Sequence, residues 1–81
     1  MNLKLLLFTT LRELVGKEEV RFHLSTESTC EDIKMKVALA YPKTIPNLKW
    51  AQVAVNQELV SWNTFLKEGD EVAFLLPVSG G

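Results

Sequence analysis

The 81-residue chain predicts an α+β fold, with helices packed on one face of a mixed sheet of about five strands. Three observations lead there. Apolar or alternating runs of strand length recur at 3–8, 19–24, 51–55, 59–62 and 71–78. Segments with helical spacing, 9–15 and 29–41, fall between the early strands. Turn-forming residues stand at the joints, from Gly16 to Lys67-Glu68-Gly69-Asp70. The order is β-α-β-α-β-β-β over a single domain, 1–81, with no internal repeat or low-complexity tract.

Leu3 to Phe8 is an apolar run whose pleat puts Leu3, Leu5 and Leu7 on one face and Lys4, Leu6 and Phe8 on the other. Thr9 or Thr10 is expected to cap a short helix through Val15, and Gly16 to stop it. Glu19 to Leu24 alternates, with Val20, Phe22 and Leu24 inward, as in a half-buried strand paired antiparallel with the first. After the polar connector Ser25–Ser28, Thr29 reads as an N-cap, with Glu31 and Asp32 suited to the first helical turn. That helix runs to about Tyr41, since Pro42 disfavours helical geometry before it. Its apolar stripe is Cys30, Ile33, Val37, Ala40 and Tyr41, with Met35 and Leu39 on the opposite side. Pro42 to Lys49 reads as a loop with two prolines. Ala51–Val55, a tight turn at Asn56-Gln57-Glu58, Leu59–Trp62 and Glu71–Val78 complete the sheet. Trp50 and Trp62 are expected to pack in the core or at its rim.

Composition removes several classes of function. The content is 47% hydrophobic and 23% charged, ordinary for a soluble domain. A net charge of -1 and the absence of a basic run argue against nucleic acid as a partner. No apolar stretch approaches membrane-spanning length, and the first residues lack a signal peptide's charged region and cleavage site. A single cysteine, Cys30, excludes an internal disulfide framework and fits a reducing compartment, so a cytoplasmic location is expected.

Parity along the strands places apolar residues on the face away from the helices. Glu71 marks that outer face on the last strand, so Ala73, Leu75 and Pro77 share it, while Val72, Phe74 and Leu76 point inward. Lys4 marks it on the first strand, bringing Leu6 and Phe8; Ser61 marks it on the fourth, bringing Leu59. If the first and last strands are neighbours, Phe8, Leu59 and Leu75 cluster beside the chain's last residues, and a contiguous exposed apolar patch usually marks a binding surface. The alternative is that loops or the two tryptophans cover it. The chain ends in Gly80-Gly81. Lacking Cβ, a Gly-Gly tail can thread a narrow cleft and present its carboxylate for activation; the alternative is a terminus that simply frays.

Other reactive groups carry less. Cys30 stands at a helix N-terminus, which can lower a thiol's pKa, but it also lies on the apolar stripe, where a buried core role is favoured. His23 is the only histidine and points outward, so no metal site is expected. The acids are scattered over turns and caps, with no paired-carboxylate site. No phosphate-binding G-x-x-x-x-G-K-[ST] loop or dinucleotide fingerprint occurs, so activation of the terminus requires a partner.

The blocks Leu11-Arg12-Glu13-Leu14-Val15-Gly16, Ala54-Val55-Asn56-Gln57-Glu58-Leu59-Val60, Gly69-Asp70-Glu71-Val72-Ala73-Phe74 and Pro77-Val78-Ser79-Gly80-Gly81 span nearly the whole chain. In order and spacing they resemble the ubiquitin-like sulfur carriers of β-grasp fold, most closely the small-subunit family of molybdopterin synthase (the MoaD family). One departure is Leu76, where that family commonly has a second proline, so the stiffness of the tail's base differs. The resemblance implies that an E1-like enzyme adenylates the Gly81 carboxylate with ATP and magnesium. Sulfur then replaces the adenylate to give a thiocarboxylate. The loaded tail, a flexible segment of about 77–81, inserts into the large subunit of the synthase and donates sulfur to a cyclic pyranopterin precursor. Two transfers build the molybdopterin dithiolene.

By the same resemblance, Gly81 carries the sulfur, Gly80 gives reach, and Phe8, Leu59, Leu75, Pro77, Val78 and Ser79 meet the partner. The family is heterotetrameric, two small subunits flanking a dimer of large ones. No bound cofactor is expected. Three other functions share parts of this pattern: a protein modifier joined through Gly81 to lysines, a carrier for thiamin or tRNA thiolation, and an interaction domain with an inert tail.

Overall fold

The computed structural model describes residues 1–77, and within them five strands form one mixed sheet. They are β1 (Asn2–Leu7), β2 (Glu19–His23), β3 (Gln52–Val55), β4 (Glu58–Val60) and β5 (Glu71–Leu75). The order across the sheet is β2-β1-β5-β3-β4, with β1 and β5 parallel and the other pairs antiparallel. The α+β class, the strand number and the antiparallel β1–β2 pair all stand as expected. The strands end earlier than the apolar runs suggest, β4 at Val60 rather than Trp62 and β5 at Leu75 rather than Val78.

The pleat sorts the side chains as the alternation predicted. Leu3, Leu5 and Leu7 of β1, Val53 of β3, and Val72 and Phe74 of β5 are buried on the helical side. They form one cluster with Leu11, Leu24, Cys30, Ile33, Val37, Leu48 and Leu66. Each large aliphatic or aromatic side chain so buried stabilises the fold by roughly 1.5–3 kcal/mol relative to exposure. Trp62 packs edge-on against Phe74 with ring centroids 5.2 Å apart, and Lys34 Nζ lies 4.7 Å from its ring centroid.

Helix α1 (Thr9–Val15) stops at Gly16, which takes the left-handed conformation at φ 82° and donates its N–H to the Arg12 carbonyl at 2.8 Å. Its start differs from expectation. Phe8, not Thr9 or Thr10, is the N-cap, and Thr9 is held at φ 44°, a region a β-branched residue rarely enters. Helix α2 (Cys30–Ala40) begins with the expected cap: the Thr29 N–H and hydroxyl donate to Asp32 Oδ2 at 2.7 and 3.2 Å. Two further first-turn N–H groups are satisfied from the β4–β5 connection: Cys30 donates to the Thr64 carbonyl and Glu31 to that of Trp62. Cys30, Ile33 and Val37 are buried, but Ala40, expected on the same stripe, is exposed at its margin in the last turn.

Two further expectations are corrected. Residues 42–49 are not an irregular loop. Pro42–Thr44 form a 3-10 turn that leads into the four-residue helix α3 (Ile45–Leu48). Both prolines occupy N-terminal positions of these turns, where a missing N–H costs nothing. Thr44 is buried, with its hydroxyl donating to the Tyr41 carbonyl at 2.7 Å. Trp50, expected to pack, is instead 72% exposed, because α3 ends at Leu48, which fills the core there, and the chain turns through Lys49 and Trp50 toward β3.

Candidate functional site

The outer face of the sheet carries an apolar trough, and the register shows how it is made. Leu6 of β1 stands opposite Ala73 of β5, Ala73 opposite Ala54 of β3, and Ala54 opposite Leu59 of β4. Four strands thus contribute one row: large, small, small, large. The two alanines form a floor, and Leu6, Phe8, Leu59 and Leu75 form the walls of a shallow groove of about 290 Å³. The strand positions between them on this face are short, so the alternation that buries Val72 and Phe74 on one side leaves a depression on the other.

The walls are open to solvent. Leu59 is 61% and Phe8 43% exposed, whereas Ala54 at the floor is buried beneath its neighbours. Neither tryptophan nor a loop covers the groove, which settles that alternative in favour of an open surface among the described residues. Phe8 follows the last residue of β1, and β1 runs parallel to β5 with Leu7 opposite Phe74. Phe8 therefore lies at the end of the sheet from which Leu76 and Pro77 continue. Leu76 is half-buried against the core, and Pro77 is exposed.

The opposite end of the groove is polar. Gln57 and Glu71 line it, and Lys4 bridges Glu71 at 3.6 Å and Glu19 at 3.9 Å on the same face. These pairs are partly exposed and contribute little to stability; they set the boundary of the apolar surface. The β3–β4 hairpin that carries Leu59 is fixed to β5 through Asn56. Its backbone N–H donates to the Glu71 carbonyl at 2.8 Å, its Oδ1 accepts from the Glu71 N–H at 3.1 Å, and its Nδ2 donates to Asp70 Oδ1 at 3.0 Å.

Of the sequence-predicted site residues, Phe8, Leu59 and Leu75 are brought together on this surface and Pro77 lies just beyond it. Val78, Ser79, Gly80 and Gly81 lie outside the described residues. Ala54, Ala73 and Leu6 were not singled out as site residues. The signal was present in the parities, but only the strand order shows that they share one row. Cys30 is fully buried, and burial pushes its thiol up to about 11 from an ordinary 9.0, with the Asp70 carboxylate adding to the shift. It belongs to the core. His23 is exposed, with Nδ1 3.0 Å from Asn2 Oδ1. No cluster of three or more His, Cys, Asp or Glu side chains able to hold a metal occurs among the described residues.

Comparison with known proteins adds a lineage to this geometry. The model of the ThiS family matches residues 5–81. The molybdopterin synthase sulfur carrier subunit of Chlamydomonas reinhardtii is 37% identical over 83 aligned positions, covering all of both chains. Among solved structures, a putative molybdopterin converting factor subunit 1 from Pyrococcus furiosus superposes with a TM-score of 0.87 at 26% identity, covering 96% of this chain and 99% of that one. The small archaeal modifier protein 1 of Methanosarcina acetivorans superposes with a TM-score of 0.81 at 28% identity, covering 99% and 96% of the two chains.

Proposed function

The chain belongs to the ThiS family, alongside the molybdopterin synthase sulfur carrier subunits, and from that premise we propose that it carries sulfur on its terminal glycine, Gly81. One observation supports this above the others. The open apolar trough of Leu6, Phe8, Leu59 and Leu75 ends where β5 hands the chain on toward Gly80-Gly81. A partner that covers the trough thereby receives the tail.

The chemistry divides between this chain and its partners. A carboxylate is a poor electrophile, so the Gly81 carboxylate oxygen first attacks the α-phosphorus of ATP, with magnesium, on an E1-like adenylating enzyme, and pyrophosphate leaves. Sulfide-level sulfur then attacks the acyl carbon and AMP departs, leaving a thiocarboxylate. Sulfur in this form is a softer and stronger nucleophile than the carboxylate oxygen. Gly80 and Gly81 lack the Cβ atoms that would widen the tail in a narrow cleft. In the large subunit of molybdopterin synthase the sulfur passes to a cyclic pyranopterin precursor, and two passages complete the dithiolene. This chain contributes docking and delivery; activation belongs to the E1-like enzyme and transfer to the large subunit, with which this chain forms a heterotetrameric synthase in the cytoplasm.

The test is the intact mass of the protein after incubation with ATP, magnesium, a sulfur donor and the E1-like enzyme of the same cell. The expected result is one oxygen exchanged for sulfur, localised to Gly81. No exchange with an enzyme of demonstrated activity would overturn the proposal. A second reading, a protein modifier, is favoured by the likeness to the small archaeal modifier protein. It predicts Gly81 in isopeptide linkage to lysine-containing peptides, which mass spectrometry of cell extracts distinguishes from a thiocarboxylate.

A further inference from the structure

A second exposed apolar surface lies on the helical side of the molecule, and the trough does not account for it. Met35 and Leu39 on α2, Ile45 on α3 and Trp50 just after α3 are 56%, 81%, 46% and 72% exposed. Met35, Ala38 and Ile45 line a groove between α2 and α3, flanked by Lys34 and Lys49, with Glu31 the one acid on its lining. The stretch of sequence that supplies most of it is one-sided in charge. Residues 33–57 contain Lys34, Lys36, Lys43 and Lys49 and no acid, so this stretch carries +4 on a chain whose net charge is -1.

Strand register ties this surface to the tail. Strand β3 is antiparallel to β5, with Gln52 opposite Leu75. Residues just before Gln52 and just after Leu75 therefore occupy the same end of the sheet. Lys49, which lines the α2–α3 groove, and the exposed Trp50 next to it therefore come close to the tail exit, as Phe8 and Leu75 do from the sheet side. A cleft that takes in an extended tail has to close around the point where it leaves the domain, and both flanks then meet its walls.

Resting on the reading that the tail enters a partner protein, we propose that the same partner grips the helical flank as well, seating Trp50 in an apolar pocket rimmed by carboxylates. The chemistry of the flank selects that occupant. An exposed tryptophan gives a large rigid apolar area with one N–H donor, which an acidic rim accepts, and tryptophan is enriched among residues that dominate interface energy. Lys49, adjacent to Trp50, and Lys43, on the 3-10 turn that leads into α3, steer an acidic surface toward this part of the molecule. A lipid surface fits less well, because the main apolar stripe of α2, Cys30, Ile33 and Val37, is committed to the core.

The experiment is a calorimetric titration of the full-length protein with the large subunit of its own synthase, at low and moderate salt. It compares the wild type with Leu59→Asp on the sheet side, Trp50→Ala, and the double variant Lys43→Glu with Lys49→Glu. The expected result is an affinity about tenfold weaker for Trp50→Ala. The charge-reversed variant binds more weakly still at low salt and loses the salt dependence, and both keep the wild-type melting temperature. Wild-type affinity in both, with binding lost only in Leu59→Asp, overturns the proposal and leaves the sheet-side contact intact. A wild type that does not bind the large subunit overturns both readings. A blue shift of tryptophan emission on phosphatidylserine vesicles that Trp50→Ala abolishes, with partner affinity unaffected by the same substitution, overturns it in favour of a lipid surface.

Discussion

Single residues divide sharply between those that hold the fold and those that are free to serve a partner. Cys30 is on the first side: fully buried, with its thiol pushed up to about 11. A folded-state value above the unfolded one means that the native protein holds this proton more tightly. The stability it supplies is fully present below about pH 9 and is lost as pH rises toward 11. Chemical denaturation at pH 8 and pH 11 should show the wild type losing roughly 2 kcal/mol more than Cys30→Ala over that interval. Iodoacetamide should label Cys30 only in denaturant. Leu59 stands on the other side, on the rim of the trough with most of its side chain in solvent. Leu59→Asp should change folding stability by about 0.5 kcal/mol or less. It should weaken binding to the large subunit roughly thirtyfold, about 2 kcal/mol. Unchanged affinity in a titration would show that the trough is not the docking surface.

At the scale of elements, the Asn56-Gln57 hairpin shows how local conformation serves the site. Both residues have positive φ, 50° and 71°, the pairing of a type I′ turn, whose second position glycine usually fills. Gln57 therefore bears a strain that glycine would not, and Gln57→Gly should raise stability by about 1 kcal/mol, measured as a shift in denaturation midpoint at constant slope. The turn was legible in the sequence because Asn56-Gln57-Glu58 separates two apolar runs. The faces were legible too, since Lys4, Glu71 and Ser61 each marked the solvent side of a two-residue period. Helix α3 was not. Pro42 and Pro46 read as helix breakers, yet both fall at helix starts, where they fit. Nor was the entry to α1, because nothing in Phe8-Thr9-Thr10 announces a threonine at φ 44°. Trp50 was misread for a related reason: its exposure follows from where α3 ends, a boundary hidden inside the supposed loop.

For the whole molecule, the sheet order explains why one face carries the open trough and the other the core. Placing β5 between β1 and β3 puts the strand that leads to the tail at the centre, where Ala73 has a neighbour on each side and the trough spans four strands. Among the described residues, the buried hydrophobic core runs from Leu3 to Phe74. Folding and delivery are then separable by truncation. Removing residues 78–81 leaves the core cluster of the described residues complete, and the melting temperature should stay within about 1 °C of the wild type. Truncation after Phe74 removes Leu76, which packs against the core, and Leu75, whose register with Gln52 closes the end of the sheet. That variant should melt several degrees lower, since about 1 kcal/mol corresponds to roughly 4–8 °C in a domain of this size. Both truncations should abolish the oxygen-for-sulfur exchange. Adding one residue after Gly81 should also abolish it at an unchanged melting temperature, because the proposed mechanism activates the carboxylate of Gly81 itself. An extended protein that still acquired sulfur without being trimmed would show that the sulfur resides elsewhere on the chain.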